Sequence, residues 1–120
     1  ALRPLDLARA LAGLARRVGD LYLRDRPVGC VLEAASGERL AWAHNTNRDN
    51  RTLHAEVNLL QTLRAPVPPG ARLITTLEPC RMCQGMIVSC APGLRVRYAE
   101  RDRVPEVPWR LDCAPLDPGC

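Results

Sequence analysis

Residues 72–98 read RLITTLEPCRMCQGMIVSCAPGLRVRY, and this stretch decides the fold. Leu73 and Ile74 with the β-branched Thr75 and Thr76 predict a strand over residues 72–77. Pro79 ends it, because a proline offers no ladder N–H. Residues 80–90 then carry Met82, Met86 and Ile87 at helical spacing, Pro92-Gly93 terminates that helix, and residues 94–98 return as a strand. A strand–helix–strand order over so short a span predicts a right-handed crossover joining parallel strands.

Working outward, residues 54–64 predict a helix with Val57, Leu60 and Leu63 facing in, broken by the APVPPG run at 65–70. A polar loop rich in Asn and Arg, residues 44–52, precedes it. Residues 28–33 and 39–43 read as strands around the turn Ala35-Ser36-Gly37-Glu38, forming a hairpin. Residues 5–23 place Leu7, Leu11, Leu14, Val18 and Leu21 on one helical stripe. Asp6 is a candidate N-cap, Pro27 is the stop, and Arg9, Arg16 and Arg17 lie off the stripe. Residues 103–120 read as a short tail with Pro105, Pro108, Pro115 and Pro118. The order of elements predicts an α/β domain spanning residues 1–120, with a mixed sheet and helices on its faces.

Composition narrows the function. At 120 residues the chain suits one domain, and its 47% hydrophobic content suits a globular core rather than disorder. No run of eighteen apolar residues is present, which excludes a membrane-spanning helix, and Ala1-Leu2-Arg3-Pro4-Leu5-Asp6 does not resemble an export leader. Phe is absent, so Leu, Val, Ala and Ile must build the core. All 17 basic residues are Arg. Biased base composition explains that, and so does a need for bidentate phosphate contacts. The net charge of +4 is compatible with a polyanionic partner. Of the six cysteines, Cys80 and Cys83 form C-x-x-C, Cys30 lies in an apolar run, Cys90 near a helix end, and Cys113 and Cys120 in the tail. The uneven spacing favours a reducing compartment and a metal role for two of them.

Two motifs carry chemistry. His54-Ala55-Glu56 opens one helix, and Pro79-Cys80-Arg81-Met82-Cys83 opens the next. Cys80 and Cys83 share a helix face, and a helix N-terminus favours their thiolates. Two thiolates and one imidazole hold zinc with a fourth position open, which is a catalytic rather than a structural arrangement. The only other histidine, His44, and the remaining cysteines lack ligand-like spacing. Glu56, two residues past His54, is placed to serve as a proton shuttle without ligating the metal.

H-x-E paired with P-C-x-x-C is the signature of zinc-dependent nucleobase deaminases, and the chain resembles the cytidine deaminase-like superfamily over residues 5–101. Pro27-Val28-Gly29-Cys30-Val31-Leu32 and Thr76-Leu77-Glu78-Pro79-Cys80-Arg81-Met82-Cys83 are similar to the first strand and second zinc motif of bacterial tRNA adenosine deaminases. Residues 45–61, NTNRDNRTLHAEVNLLQ, resemble a bacterial toxin-type group more closely. The resemblance implies the three-layer α/β/α cytidine deaminase-like fold with a sheet of four to five strands. It implies His54, Cys80 and Cys83 as Zn2+ ligands and Glu56 as the catalytic proton carrier. It also implies a base-contacting Asn45, with Asn47 as rival, and a base pocket lined by Val28 and Pro79. Where the tRNA enzymes continue with a fifth strand and a helix, only the Pro-rich tail follows here.

Arg48, Arg51 and Arg81 surround the expected mouth as candidate phosphate contacts. Trp42 reads as core or as a stacking surface, Trp109 as a stacking platform or a cap on the sheet, and His44 as a solvated loop residue. Tyr22 and Tyr98 are the other aromatics that a flipped base could meet. The leading expectation is conversion of cytosine to uracil in DNA, single-stranded before double-stranded. Adenosine-to-inosine conversion in tRNA is the alternative, and a free nucleoside or nucleobase is third. A zinc-stabilised binding module fits poorly, because the ligand set is open and Glu56 stands beside it. The partner is DNA or RNA, with no membrane and no obligate protein partner. A cytoplasmic enzyme and the catalytic domain of an exported toxin both accommodate these features.

Overall fold

The computed structural model describes residues 3–19, 21–22 and 25–117. Three helices and five strands follow in the order α1 (Pro4–Val18), β1 (Gly29–Glu33), β2 (Arg39–His44), α2 (Ala55–Thr62), β3 (Arg72–Leu77), α3 (Arg81–Cys90), β4 (Arg95–Glu100) and β5 (Asp112–Pro115). They build one mixed sheet in the order β2-β1-β3-β4-β5. The hairpin β1–β2 is antiparallel, as is β1–β3, whereas β3–β4 and β4–β5 are parallel. This is the α/β architecture expected, with helices on both faces. No described helix is long and apolar enough to cross a membrane.

Period-two alternation divides the core. Cys30, Leu32 and Leu73 point toward α2 and α3, where they join Leu59, Ile87 and Val96 in one buried cluster. Val31 lies opposite Ile74, both fully buried, on the other face with α1. There the strand and helix backbones nearly touch: a Cβ on Gly29 would fall 1.9 Å from the Ala8 carbonyl oxygen. Only glycine fits that seat, and only small residues fit opposite it.

That approach corrects the expected α1 stripe. Leu5, Ala8 and Ala15 are buried, while Leu14 and Val18 are exposed. The close seat selects the alanine side of the helix over its leucine side. The helix ends at Val18 through Gly19, whose φ of 67° is left-handed, well before Pro27. Asp20, Leu23 and Arg24, which the predicted helix or its exit covered, lie outside the described residues. Arg3 rather than Asp6 is the N-cap, Pro4 sits at the first helical position, and Asp6 pairs with Arg3 at 3.0 Å. On α2 the buried residues are Ala55, Glu56 and Leu59, with Val57, Leu60 and Leu63 only partly covered. The tail is not featureless: β5 extends the sheet as a short edge strand beside β4, where Pro115 at its end costs little ladder bonding.

Candidate active site

Both zinc motifs fall at helix starts. His54 is the N-cap of α2 and Cys80 the N-cap of α3, each in extended backbone. Pro79 fixes its own φ just before Cys80, and Gln84 secures the turn by donating from Nε2 to the Pro79 carbonyl at 2.9 Å, buried from solvent. The Cys83 N–H points at Cys80 Sγ over 3.5 Å, so the α3 N-terminus itself stabilises sulfur as an anion. His54 Nδ1 stands 3.5 Å from Cys80 Sγ and 3.4 Å from Cys83 Sγ.

These distances test the metal. Tetrahedral zinc with ordinary Zn–N and Zn–S bonds sets its N and S ligands about 3.6 Å apart. The three donor atoms all lie within 4.8 Å of one another. The donor set therefore fits zinc without rearrangement: His54, Cys80 and Cys83 are the zinc-binding triad of this protein. The electrostatics agree. Hydrogen bonding from Cys83, with His54 beside it, holds the Cys80 thiol down to about 4. Its bond to Cys80 pushes Cys83 up, and its bond to Cys80 raises His54.

Glu56 lies in the first turn of α2, two residues past His54, and is 3% exposed. Burial pushes its carboxyl above the usual carboxylate range, opposed by a hydrogen bond with Cys83. It lines, with His54 and Cys80, a cavity of about 480 Å³.

Asn45, Asn47, Val28 and Arg51 also line this cavity. Asn45 Oδ1 accepts from the Val28 N–H at 2.9 Å, and its Nδ2 donates to the Arg26 carbonyl at 2.8 Å. Asn47 Oδ1 accepts from the Tyr22 N–H at 3.5 Å, and its Nδ2 donates to Asp25. Each amide thus clamps the segment before β1 while presenting a face to the cavity. Arg51 stacks its guanidinium 4.0 Å over the Tyr22 ring and reaches Asp25 at 3.9 Å, so the expected mouth residue is at the mouth.

Other expected residues fall elsewhere. Pro79 is fully buried and does not line the cavity. Arg48 and Arg81 are exposed outside the cavity lining. Trp42 is 57% exposed on the edge strand β2 rather than in the core. Trp109 packs its ring over Gly85 of α3, away from the cavity, with a buried indole N–H that has no hydrogen-bond partner among the described residues. Tyr98 is buried in β4, and His44 Nδ1 meets the Asn45 carbonyl at 3.1 Å. The five described cysteines are all free, and Cys120 lies outside the described residues.

The motifs did not reveal Asp25, Arg26, Glu78 and Asp102, which also line the cavity. Their side chains make the mouth mixed in charge rather than basic. Asn58 was missed too. Its Nδ2 donates to the His44 carbonyl at 2.8 Å and to Thr46 Oγ1 at 2.9 Å, which ties the Asn45–Asn47 loop to α2. Its place one turn after His54 was the only available clue.

Comparison with known proteins agrees with this site. The sequence profile of the Bd3614-like deaminases matches residues 19–105. A solved structure from a study titled "Biochemical and Structural Studies of A-to-I Editing by tRNA:A34 Deaminases at the Wobble Position of Transfer RNA" is 30% identical, with a TM-score of 0.66. The match covers 82% of this chain and 71% of that one. Guanine deaminase from Bacillus subtilis is 29% identical with a TM-score of 0.65, covering 82% and 62%. Two curated proteins named tRNA(Ile)-lysidine synthase are also similar. That of Deinococcus radiodurans is 37% identical over 73 residues, and that of Deinococcus deserti 36% over 88. These matches cover 56% and 68% of this chain but only 12% and 16% of the synthases.

Proposed function

The chain belongs to the Bd3614-like deaminase family, and from that premise we propose that it deaminates a base held in a polynucleotide, with adenosine in a tRNA loop as the first substrate. It is a zinc-dependent deaminase of the cytidine deaminase-like superfamily. The observation that carries the tRNA reading is the 30% identity, over most of both chains, with the structure from the tRNA:A34 deaminase study. The names of both Deinococcus relatives point to the same polymer. The β5 strand supports it further, since the tail departs less from the tRNA enzymes than its prolines suggested.

The reaction exchanges an exocyclic amine for a carbonyl oxygen: water adds to the ring carbon, the C–N bond breaks, and ammonia leaves. Zinc, when bound, supplies Lewis acidity that makes water acidic enough to attack at neutral pH. Glu56 takes one proton from that water and passes it to the ring nitrogen, then takes the second from the added hydroxyl and passes it to the departing amine. Its burial keeps bulk solvent from competing for the proton. Val28 forms an apolar side of the base pocket, with Asn45 and Asn47 holding that side in place and offering their remaining amide valences to the base edge. Pro79 acts by fixing the turn that aims Cys80. Arg51, stacked on Tyr22, is the phosphate contact at the mouth.

Cytosine in DNA is the second reading, favoured by the toxin-like residues 45–61. The zinc-loaded protein should be given an anticodon stem-loop and a single-stranded DNA oligonucleotide, each containing A and C, and the products read by mass. Inosine in the stem-loop with DNA unchanged is expected. Uracil in the DNA with RNA adenosines intact would reverse the order of the two readings, and turnover of free bases alone would refute both.

A further inference from the structure

A second groove, of about 530 Å³, runs between α1 and the carboxyl ends of β3 and β4. Arg9, Arg16, Arg17 and Arg26 line it, and its one acidic lining residue, Glu100, is paired with Arg26 at 2.9 Å. Among the described residues Arg9, Arg16 and Arg17 form no salt bridge. Arg9 and Arg16 stand two helical turns apart on one face, and Ala12 and Gly13 between them keep the floor low. The groove shares Arg26 and Leu77 with the catalytic cavity, so the two adjoin.

An ordinary solvated helix face alternates charge signs at helical spacing. This helix does not: its acidic residue, Asp6, sits in the first turn and is taken by Arg3. The helix dipole accounts for Arg16 and Arg17 in the last turn, and Asp6 one turn earlier attracts Arg9, yet no described carboxylate forms a salt bridge with any of the three. An anionic chain passing along the groove explains all three.

We propose that the α1 groove is a track for the phosphate backbone of a single-stranded polynucleotide, holding the nucleotides that flank the base in the cavity. This rests on the polynucleotide reading above. A single strand is specified because the reacting base must leave its stack and the groove begins where the cavity ends.

The test uses zinc-loaded Glu56→Ala protein, so that no substrate is consumed, and a labelled twenty-nucleotide single strand followed by fluorescence anisotropy. The triple change Arg9→Gln, Arg16→Gln, Arg17→Gln is compared with its parent across a salt series. Three lost phosphate contacts should lower the slope of log K against log salt by about 2 and weaken binding at least tenfold at low salt. In the active background the same triple change should raise KM for the oligonucleotide while leaving turnover of a free nucleoside unchanged. An unchanged melting midpoint shows that α1 is intact, and single Arg9→Gln serves if the triple variant misfolds. Equal slopes and affinities in parent and variant overturn the groove while leaving the polynucleotide reading standing. A wild-type protein that turns over nucleosides and binds no polymer overturns both.

Discussion

An alanine at position 29 has no space to occupy. Its Cβ would lie 1.9 Å from the Ala8 oxygen, 2.8 Å from the Ala12 nitrogen and 2.9 Å from the Ala8 carbonyl carbon, all backbone atoms that no rotamer can move. Ordinary carbon–oxygen contact begins near 3.3 Å, so α1 must lift by roughly 1.4 Å. A gap of that order forfeits at least half the dispersion energy along the face that Leu5, Ala8 and Ala15 bury. The expected loss is about 3 kcal/mol, at the upper end for overpacking, or about 12 °C in melting temperature for a chain of this length. Gly13→Ala is the control on the same helix. Its Cβ meets only Arg17 Nη1, at an ordinary 3.6 Å, so it should gain up to about 1 kcal/mol from helix propensity. Urea unfolding of the zinc-loaded protein measures both changes. A Gly29→Ala midpoint within about 1 kcal/mol of the parent would refute the close seat of α1 on β1.

Other expected outcomes concern the site. Glu56→Gln should retain one zinc per chain by elemental analysis, lose turnover by at least about a hundredfold, and melt no lower than the parent, because it removes a buried carboxylate. Loss of zinc from that variant would mean that Glu56 is a ligand. Cys83→Ser should bind zinc weakly and unfold at lower urea, since metal binding and folding are coupled; a variant with stoichiometric zinc would contradict the triad. With Cys120→Ser as background, a thiol reagent at pH 8 should label exposed Cys90 first. It should reach Cys80 and Cys83 only after chelation, and Cys113 late, because burial pushes that thiol up to about 11. Early labelling of Cys113, mapped by mass spectrometry, would contradict its burial. Asn45→Ala removes the acceptor for the Val28 N–H and the donor to the Arg26 carbonyl. It should cost about 2 kcal/mol in the same unfolding assay, whereas a neutral change would show that the clamp is not formed.

The parts of the molecule governed by local rules were legible in its letters. A metal needs its donors at fixed spacing, so H-A-E and P-C-R-M-C announced the three ligands directly, and the strand–helix–strand order announced the parallel pair. What depended on distant backbone was not legible. Nothing around residue 8 says that Gly29 will lie beneath it, so a leucine stripe outweighed the alanines that do the packing. β5 has four residues, no alternation and a proline; only its neighbour β4 makes it a strand. Trp42 reads as core until β2 proves to be the sheet edge. Asn45 and Asn47 line the cavity, but their clamping bonds reach back to Tyr22, Asp25, Arg26 and Val28, across a hairpin that no spacing rule connects.

His54 and Cys80 occupy the opening residues of their helices. The far ends, near Thr62 and Cys90, therefore hang free of the chemistry, like cantilevers bolted at one wall. A segment spliced into the exposed 64–70 bend would swing at an unbolted tip and leave the bolts untouched. Such a layout lets this catalyst be lengthened, decorated or grafted into larger chains without retuning the reaction.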